Sequence, residues 1–136
     1  GDYIGGMEKE DLDGLHNMMD SNYLGWSSYV APLIMGNPET PELGEELTRN
    51  FCSTDPDIAK EFASVTFRSD HRSDLPKLKV QSLSLQCSND MLAPVEVGYY
   101  IKNHTLNNTL AILKAEGHCP HLSAPEETIV AIKQYL

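Results

Sequence analysis

The chain has 136 residues and a mass of 15.1 kDa, enough for one domain with a real core. Its 20 acidic residues stand against 10 basic ones, a formal charge of −10, which argues against a nucleic acid or an anionic membrane surface as partner. Hydrophobic residues at 40% and charged residues at 22% are ordinary globular composition and argue against wholesale disorder.

The first half reads as helical throughout. Gly5-Gly6 makes a flexible entry, after which Leu12, Leu15, Met19, Tyr23 and Trp26 recur every three or four positions and mark one apolar helical face. Val30, Leu33, Ile34 and Met35 continue that face to a C-terminal stop at Gly36, with Pro32 as a point of kinking. Thr40-Pro41 supplies an N-cap followed by proline at the first helical position, with Leu43, Leu47 and Phe51 as the buried stripe. Asp55-Pro56 repeats the signal, and Ile58, Phe62 and Val65 form a third stripe. A short turn or helix is expected at 69–73.

The second half changes rhythm. Residues 80–86 alternate as a short strand, Ser88-Asn89-Asp90 follows as a polar turn, and Pro94 opens a helix to about Lys102. Residues 109–113 form a second strand, Glu116-Gly117-His118 the next turn, and Pro125 starts a last helix with Ile129, Ile132 and Leu136 on one side. Helices followed by β-α-β-α imply an α/β protein with a parallel sheet edge. Two parallel strands are too small a sheet to stand alone. The expectation is therefore that further strands precede Gly1.

Cys52, Cys87 and Cys119 are odd in number and contain no CxxC pair, so reduced thiols in a cytoplasmic protein fit better than a disulfide framework or a zinc site. No run approaches the about 20 apolar residues of a membrane span, and no secretory leader pattern opens the chain.

In open parallel sheets, reacting groups lie just beyond the carboxyl ends of the strands. Asp90 and His118 each follow a strand, in the order of an acid that orients an imidazole base. Taken singly, a turn aspartate is a backbone cap and a histidine in a glycine turn is structural. Together at successive strand ends they suit a catalytic pair. His121 rivals His118, which is preferred because it directly follows Gly117 where the chain must bend. No G-x-S-x-G occurs, Ser82 and Ser84 sit within a strand, and Cys119 reads as a structural thiol. The nucleophile of such a triad is not in the sequence. His16, His71 and His104 read as surface residues, and spacing alone makes the aromatic stripe of the first half a core.

Several blocks carry a more specific signal: Gly1-Asp2-Tyr3-Ile4-Gly5-Gly6, Asn22-Tyr23-Leu24-Gly25-Trp26, Ala31-Pro32-Leu33, Ser69-Asp70-His71-Arg72, and the run from Glu116 through Gly117-His118-Cys119-Pro120-His121-Leu122-Ser123-Ala124 to Pro125. They resemble the α/β-hydrolase subgroup that holds the bacterial stress-signalling hydrolase RsbQ and the plant strigolactone and karrikin receptors. The resemblance implies the C-terminal portion of an α/β-hydrolase fold. Residues 1–75 would form a helical cap and 76–136 the last part of the core, the nucleophile lying in a portion that precedes Gly1. By the same resemblance Asp90 and His118 match the triad acid and base. Trp26, Val30, Phe62, Ala63 and Phe67 match pocket-facing cap residues. The implied activity is serine-type hydrolysis of a small apolar ester or acyl compound, within or upstream of signalling. The alternative is a ligand-sensing module that docks a regulatory protein through its cap. Neither needs a metal or organic cofactor.

Overall fold

The computed structural model describes residues 3–136. Gly1 and Asp2, which open the first motif block, lie outside the described residues. The described residues form two compact units, one spanning Met7–Ser69 and the other joining residues 3–6 to Asp70–Leu136.

The first unit is built of four helices: α1 (Lys9–Ser21), α2 (Tyr23–Met35), α3 (Pro41–Ser53) and α4 (Pro56–Arg68). The long apolar face expected from Leu12 onward is split between α1 and α2. Asn22 makes the break, because its side-chain oxygen accepts from the Gly25 amide at 3.0 Å and so caps α2 while ending α1. Local side-chain chemistry interrupts a hydrophobic period that continues across it. Met19, Val30, Ile34 and Met35 are buried, and Trp26 stacks between Tyr23 and Phe51 at ring separations of 6.0 and 5.6 Å. The Tyr23 hydroxyl donates to the Phe51 carbonyl at 2.7 Å, fastening α2 to α3. Gly44 completes that contact, since a Cβ there would sit 3.3 Å from Pro32 Cα. Pro41 and Pro56 open α3 and α4 as the sequence predicts.

One expected stripe is reversed. Ile58, Phe62 and Val65 are exposed, and α4 instead buries Ala63, with Ala59, Lys60 and Ser64 partly covered. Small residues on that face let α4 approach α1, and polar links across it set the orientation: Lys60 Nζ donates to Asp20 O at 3.3 Å, and Arg68 pairs with Asp13 at 3.1 Å. The large apolar residues are left pointing away.

The second unit contains a 3₁₀ helix (Arg72–Lys77), β1 (Ser82–Asn89), α5 (Val95–His104), β2 (Asn108–Glu116), a short α6 (Pro120–Ser123) and α7 (Pro125–Tyr135). The expected turn at 69–73 therefore begins later, and α6 is an addition to the sequence reading. β1 and β2 pair in parallel, Ser82 facing Asn108 and Cys87 facing Leu113. Both strands run past their expected ends, because the ladder continues through Ser88, Asn89 and Glu116 despite their polarity. The register slips between Cys87 and Asn89, so that Asn89 faces Glu116. The Ser88 hydroxyl spans this bulge, within 3.2 Å of Lys114 O and 3.3 Å of Ala115 O. α7 starts at Pro125 as predicted, but its buried residue is Thr128, while Ile129, Ile132 and Leu136 are exposed. Among the described residues no helix is long and apolar enough to cross a membrane.

Candidate active site

The ends of β1 and β2 bring Asp90 and His118 together. His118 Nδ1 lies 2.7 Å from Asp90 Oδ2, a charge-assisted distance. The Asp90 side chain is 5% exposed and that of His118 46%. The other carboxylate oxygen, Oδ1, accepts from the Leu92 and Ala93 amides at 2.9 and 3.2 Å. The turn-capping role of Asp90 and its pairing with an imidazole thus coexist, one oxygen serving each. With Nδ1 committed to the carboxylate, Nε2 is the nitrogen that can accept a proton from a nucleophile.

Two features of the backbone aim His118. Gly117 has φ 78°, a left-handed conformation that glycine adopts without strain, and its amide donates to Asn89 O at 2.8 Å. The bulge opposite Ser88 then brings the strand ends Asn89 and Glu116 face to face. His118 rather than His121 reaches Asp90, and His121 is an exposed residue of α6.

Neither nearby thiol is suited to act as nucleophile. Burial pushes Cys87 up to about 11, with further contributions from Asp90, Glu127 and Cys119. Burial also raises Cys119, followed by the charge of Asp90. Among the described residues no cluster of His, Cys, Asp and Glu could hold a metal ion.

Of the five residues assigned to a pocket by resemblance, Trp26, Val30 and Ala63 are buried within the helical unit. Phe62 is exposed, and the half-exposed Phe67 sets its ring edge-on to His16. The Trp26 indole N–H is buried with no hydrogen-bond partner among the described residues. His16 and His104, expected at the surface, are partly covered: His16 by Phe67, and His104 by Tyr100, whose ring stacks on it at 3.9 Å. A further concavity of about 780 Å³, not foreseen from the sequence, lies between α2 and α3, with Pro32, Leu33, Pro41 and Gly44 among its lining.

Sequence reasoning missed the Leu92 and Ala93 amides that hold Oδ1. An aspartate two and three residues before those amides, with Pro94 next, was the available signal. The bulge at Ser88 left no such mark.

No protein-family model matches the chain. It is 37% identical over 136 residues to a probable esterase of Oryza sativa subsp. japonica and 36% identical to a karrikin insensitive 2 receptor of Petunia hybrida, covering 99% of this chain and 50% of each relative. A solved hydrolase from Oleispira antarctica superposes with a TM-score of 0.95 at 43% identity, covering 99% of this chain and 50% of that one. The chain thus spans about half the length of the relatives it matches. Strigolactone and karrikin receptors and α/β-hydrolases are thus homologues of the chain, and its helices followed by β-α-β-α form the C-terminal portion of the α/β-hydrolase fold.

Proposed function

We propose that this polypeptide supplies the acid and base of a serine-type hydrolase acting on a small apolar ester or acyl compound. The observation that carries the reading is the 2.7 Å contact between His118 Nδ1 and a buried Asp90 carboxylate whose second oxygen is held by two amides. In the proposed reaction a serine from a preceding portion of the natural protein attacks the carbonyl. His118 Nε2 takes the serine proton and returns it to the leaving group, while Asp90 fixes the ring tautomer and stabilises the imidazolium. The helical unit serves as a cap, with Trp26, Val30, Phe62, Ala63 and Phe67 selecting substrate by shape. The esterase and hydrolase names of the relatives support the reaction class.

The test is turnover of p-nitrophenyl acetate by the natural full-length protein. His118→Ala should lower kcat by about three orders of magnitude or more with the fold intact. A wild-type rate in that variant would remove His118 from the reaction.

A second reading has its own observation. Ile58, Phe62 and Val65 form an exposed apolar stripe on α4, and relatives of the chain are named as receptors. Such a stripe suits the docking of a regulatory protein once ligand has bound, with little or no turnover. Ile58→Asp would then abolish ligand-dependent capture of the partner while ligand binding persists. Capture that survives Ile58→Asp counts against this reading.

A further inference from the structure

We propose that Gly6 is a positioning residue for Asp90: its lack of a Cβ lets the entry segment lie against the backbone of Met91 and Leu92, and this contact holds the loop that aims the carboxylate at His118.

The sequence suggests that Gly5-Gly6 is flexible, but Gly6 is needed for close approach. A Cβ on Gly6 would fall 2.4 Å from Leu92 O, 2.6 Å from Met91 O and 2.7 Å from Leu92 C. All three atoms belong to backbone, so no side-chain rotation relieves the clash. Among the described residues the glycines with positive φ are Gly36 and Gly117, so at Gly6 proximity rather than backbone conformation demands glycine.

The backbone that Gly6 touches carries the amides that grip Asp90. Leu92 N and Ala93 N hold Oδ1 and leave Oδ2 for His118. The loop cannot simply recede, since Gln86 Nε2 donates to Ala93 O at 2.8 Å from its own buried position on β1. Nor is the entry segment free to lift away. The Tyr3 ring meets Tyr100 edge-on at 5.1 Å and lies 4.9 Å from the Arg72 guanidinium. Arg72 is itself forked onto Asp70 at 2.8 and 2.5 Å. With both sides fixed, a methyl group at position 6 must displace the 91–92 backbone and turn the Asp90 carboxylate. Gly5 has no such role, because a Cβ there meets only the Tyr3 side chain, at 3.2 Å.

The consequence for turnover rests on the hydrolase reading above; the positioning itself does not. The test reads the His118 tautomer by long-range ¹H–¹⁵N NMR above about pH 9, where imidazoles are neutral. In the unsubstituted protein His118 should carry its proton on Nδ1, facing Asp90. Gly6→Ala should lose that tautomer while the Gly117 amide, bonded to Asn89 O outside the 91–92 loop, keeps its hydrogen-exchange protection. Gly5→Ala should keep both. Retention of the Nδ1–H tautomer in folded Gly6→Ala overturns the proposal. Should Gly6→Ala fail to fold, Arg72→Gln decides: the entry segment loses its anchor, and an unchanged tautomer overturns the proposal while a lost one supports it. Ester hydrolysis separates the two readings. If the unsubstituted natural full-length protein hydrolyses no ester but the tautomer follows Gly6, the hydrolase reading fails and the positioning role stands. If turnover and tautomer are both unchanged in Gly6→Ala, the positioning role fails and the hydrolase reading stands.

Discussion

Asp90 and His118 meet at 2.7 Å although Asp90 directly follows its strand and His118 stands one residue further beyond the end of its own. The bulge opposite Ser88 leaves the strand ends Asn89 and Glu116 face to face, and Gly117, at positive φ, takes up the extra residue before His118. Gly117→Ala should therefore cost about 1–2 kcal/mol, the penalty of a left-handed backbone for a residue with a Cβ. Urea denaturation of the two proteins measures it. A stability loss below a few tenths of a kcal/mol would show that the turn relaxes to another conformation.

Replacing Asp90 by asparagine keeps the shape of the side chain and removes its charge. The single carbonyl oxygen of the substituted side chain can accept from only some of the three donors that the carboxylate serves: the Leu92 and Ala93 amides and the imidazole N–H. An NH₂ group turned toward His118 would favour the wrong tautomer. The expected result for Asp90→Asn in the natural full-length protein is a fall in kcat of about 10⁴-fold, with KM for p-nitrophenyl acetate little changed. A matching rise in KM with kcat intact would instead assign Asp90 to substrate binding.

Helix starts were legible in the sequence wherever proline stood at the first helical position, as at Pro41 and Pro56, because missing N–H groups and fixed φ are local properties. Of the residues before them, Asp55 makes the side-chain cap and Thr40, contrary to expectation, makes none. Pro125 marks the start of α7 in the same way, without a side-chain cap before it. The strand-end pair was legible for a similar reason, since each member closely follows an apolar run. What escaped was set by tertiary contact. The break at Asn22 interrupts an unbroken hydrophobic period, and the extra length of β1 comes from the partner strand. The orientation of α4 depends on which face fits α1, and the close approach at Gly6 depends on a loop far away in sequence.

The helical unit draws much of its cohesion from the stack of Tyr23, Trp26 and Phe51. Trp26 is 7% exposed, and truncation to alanine removes both partners' ring contacts and leaves a cavity. Trp26→Ala should destabilise the protein by about 3–5 kcal/mol. Thermal unfolding followed by far-UV circular dichroism reads this, and a shift corresponding to under about 1 kcal/mol would mean that the site collapses around the gap.

Alkaline pH should also weaken the fold. Burial raises Cys87 from an ordinary 9.0 to about 11, so the folded state favours the neutral thiol. The stability this confers is fully present below about pH 9 and is lost as pH rises through about 11, because the unfolded chain ionises first. Tyr23, also raised by burial, acts in the same direction at the upper end of that range. Cys87→Ala should flatten the decline in unfolding free energy between pH 9 and 11. Thiol reagents offer an independent check: exposed Cys52 should be modified first, and buried Cys87 last. Equal slopes for Cys87→Ala and the unsubstituted protein would place the alkaline sensitivity elsewhere.

The reversed face of α4 makes two opposite substitutions informative. Val65 is 61% exposed, so Val65→Ser should change stability by no more than about 0.5 kcal/mol. Ala63, nearby on the helix and 7% exposed, sits where α4 meets its helical neighbours. Ala63→Leu enlarges a side chain on a face made of small residues and should cost about 1–3 kcal/mol through overpacking. Urea midpoints for the two variants separate the possibilities. The sequence period, with Ile58, Phe62 and Val65 inward, predicts the reverse ranking, a large loss for Val65→Ser and tolerance of Ala63→Leu. The exposed stripe is a feature of the helical unit that hydrophobic burial within the described residues does not explain. A stability ranking that favours Val65→Ser therefore leaves its apolar character to be accounted for by something the stripe meets, as the docking reading requires.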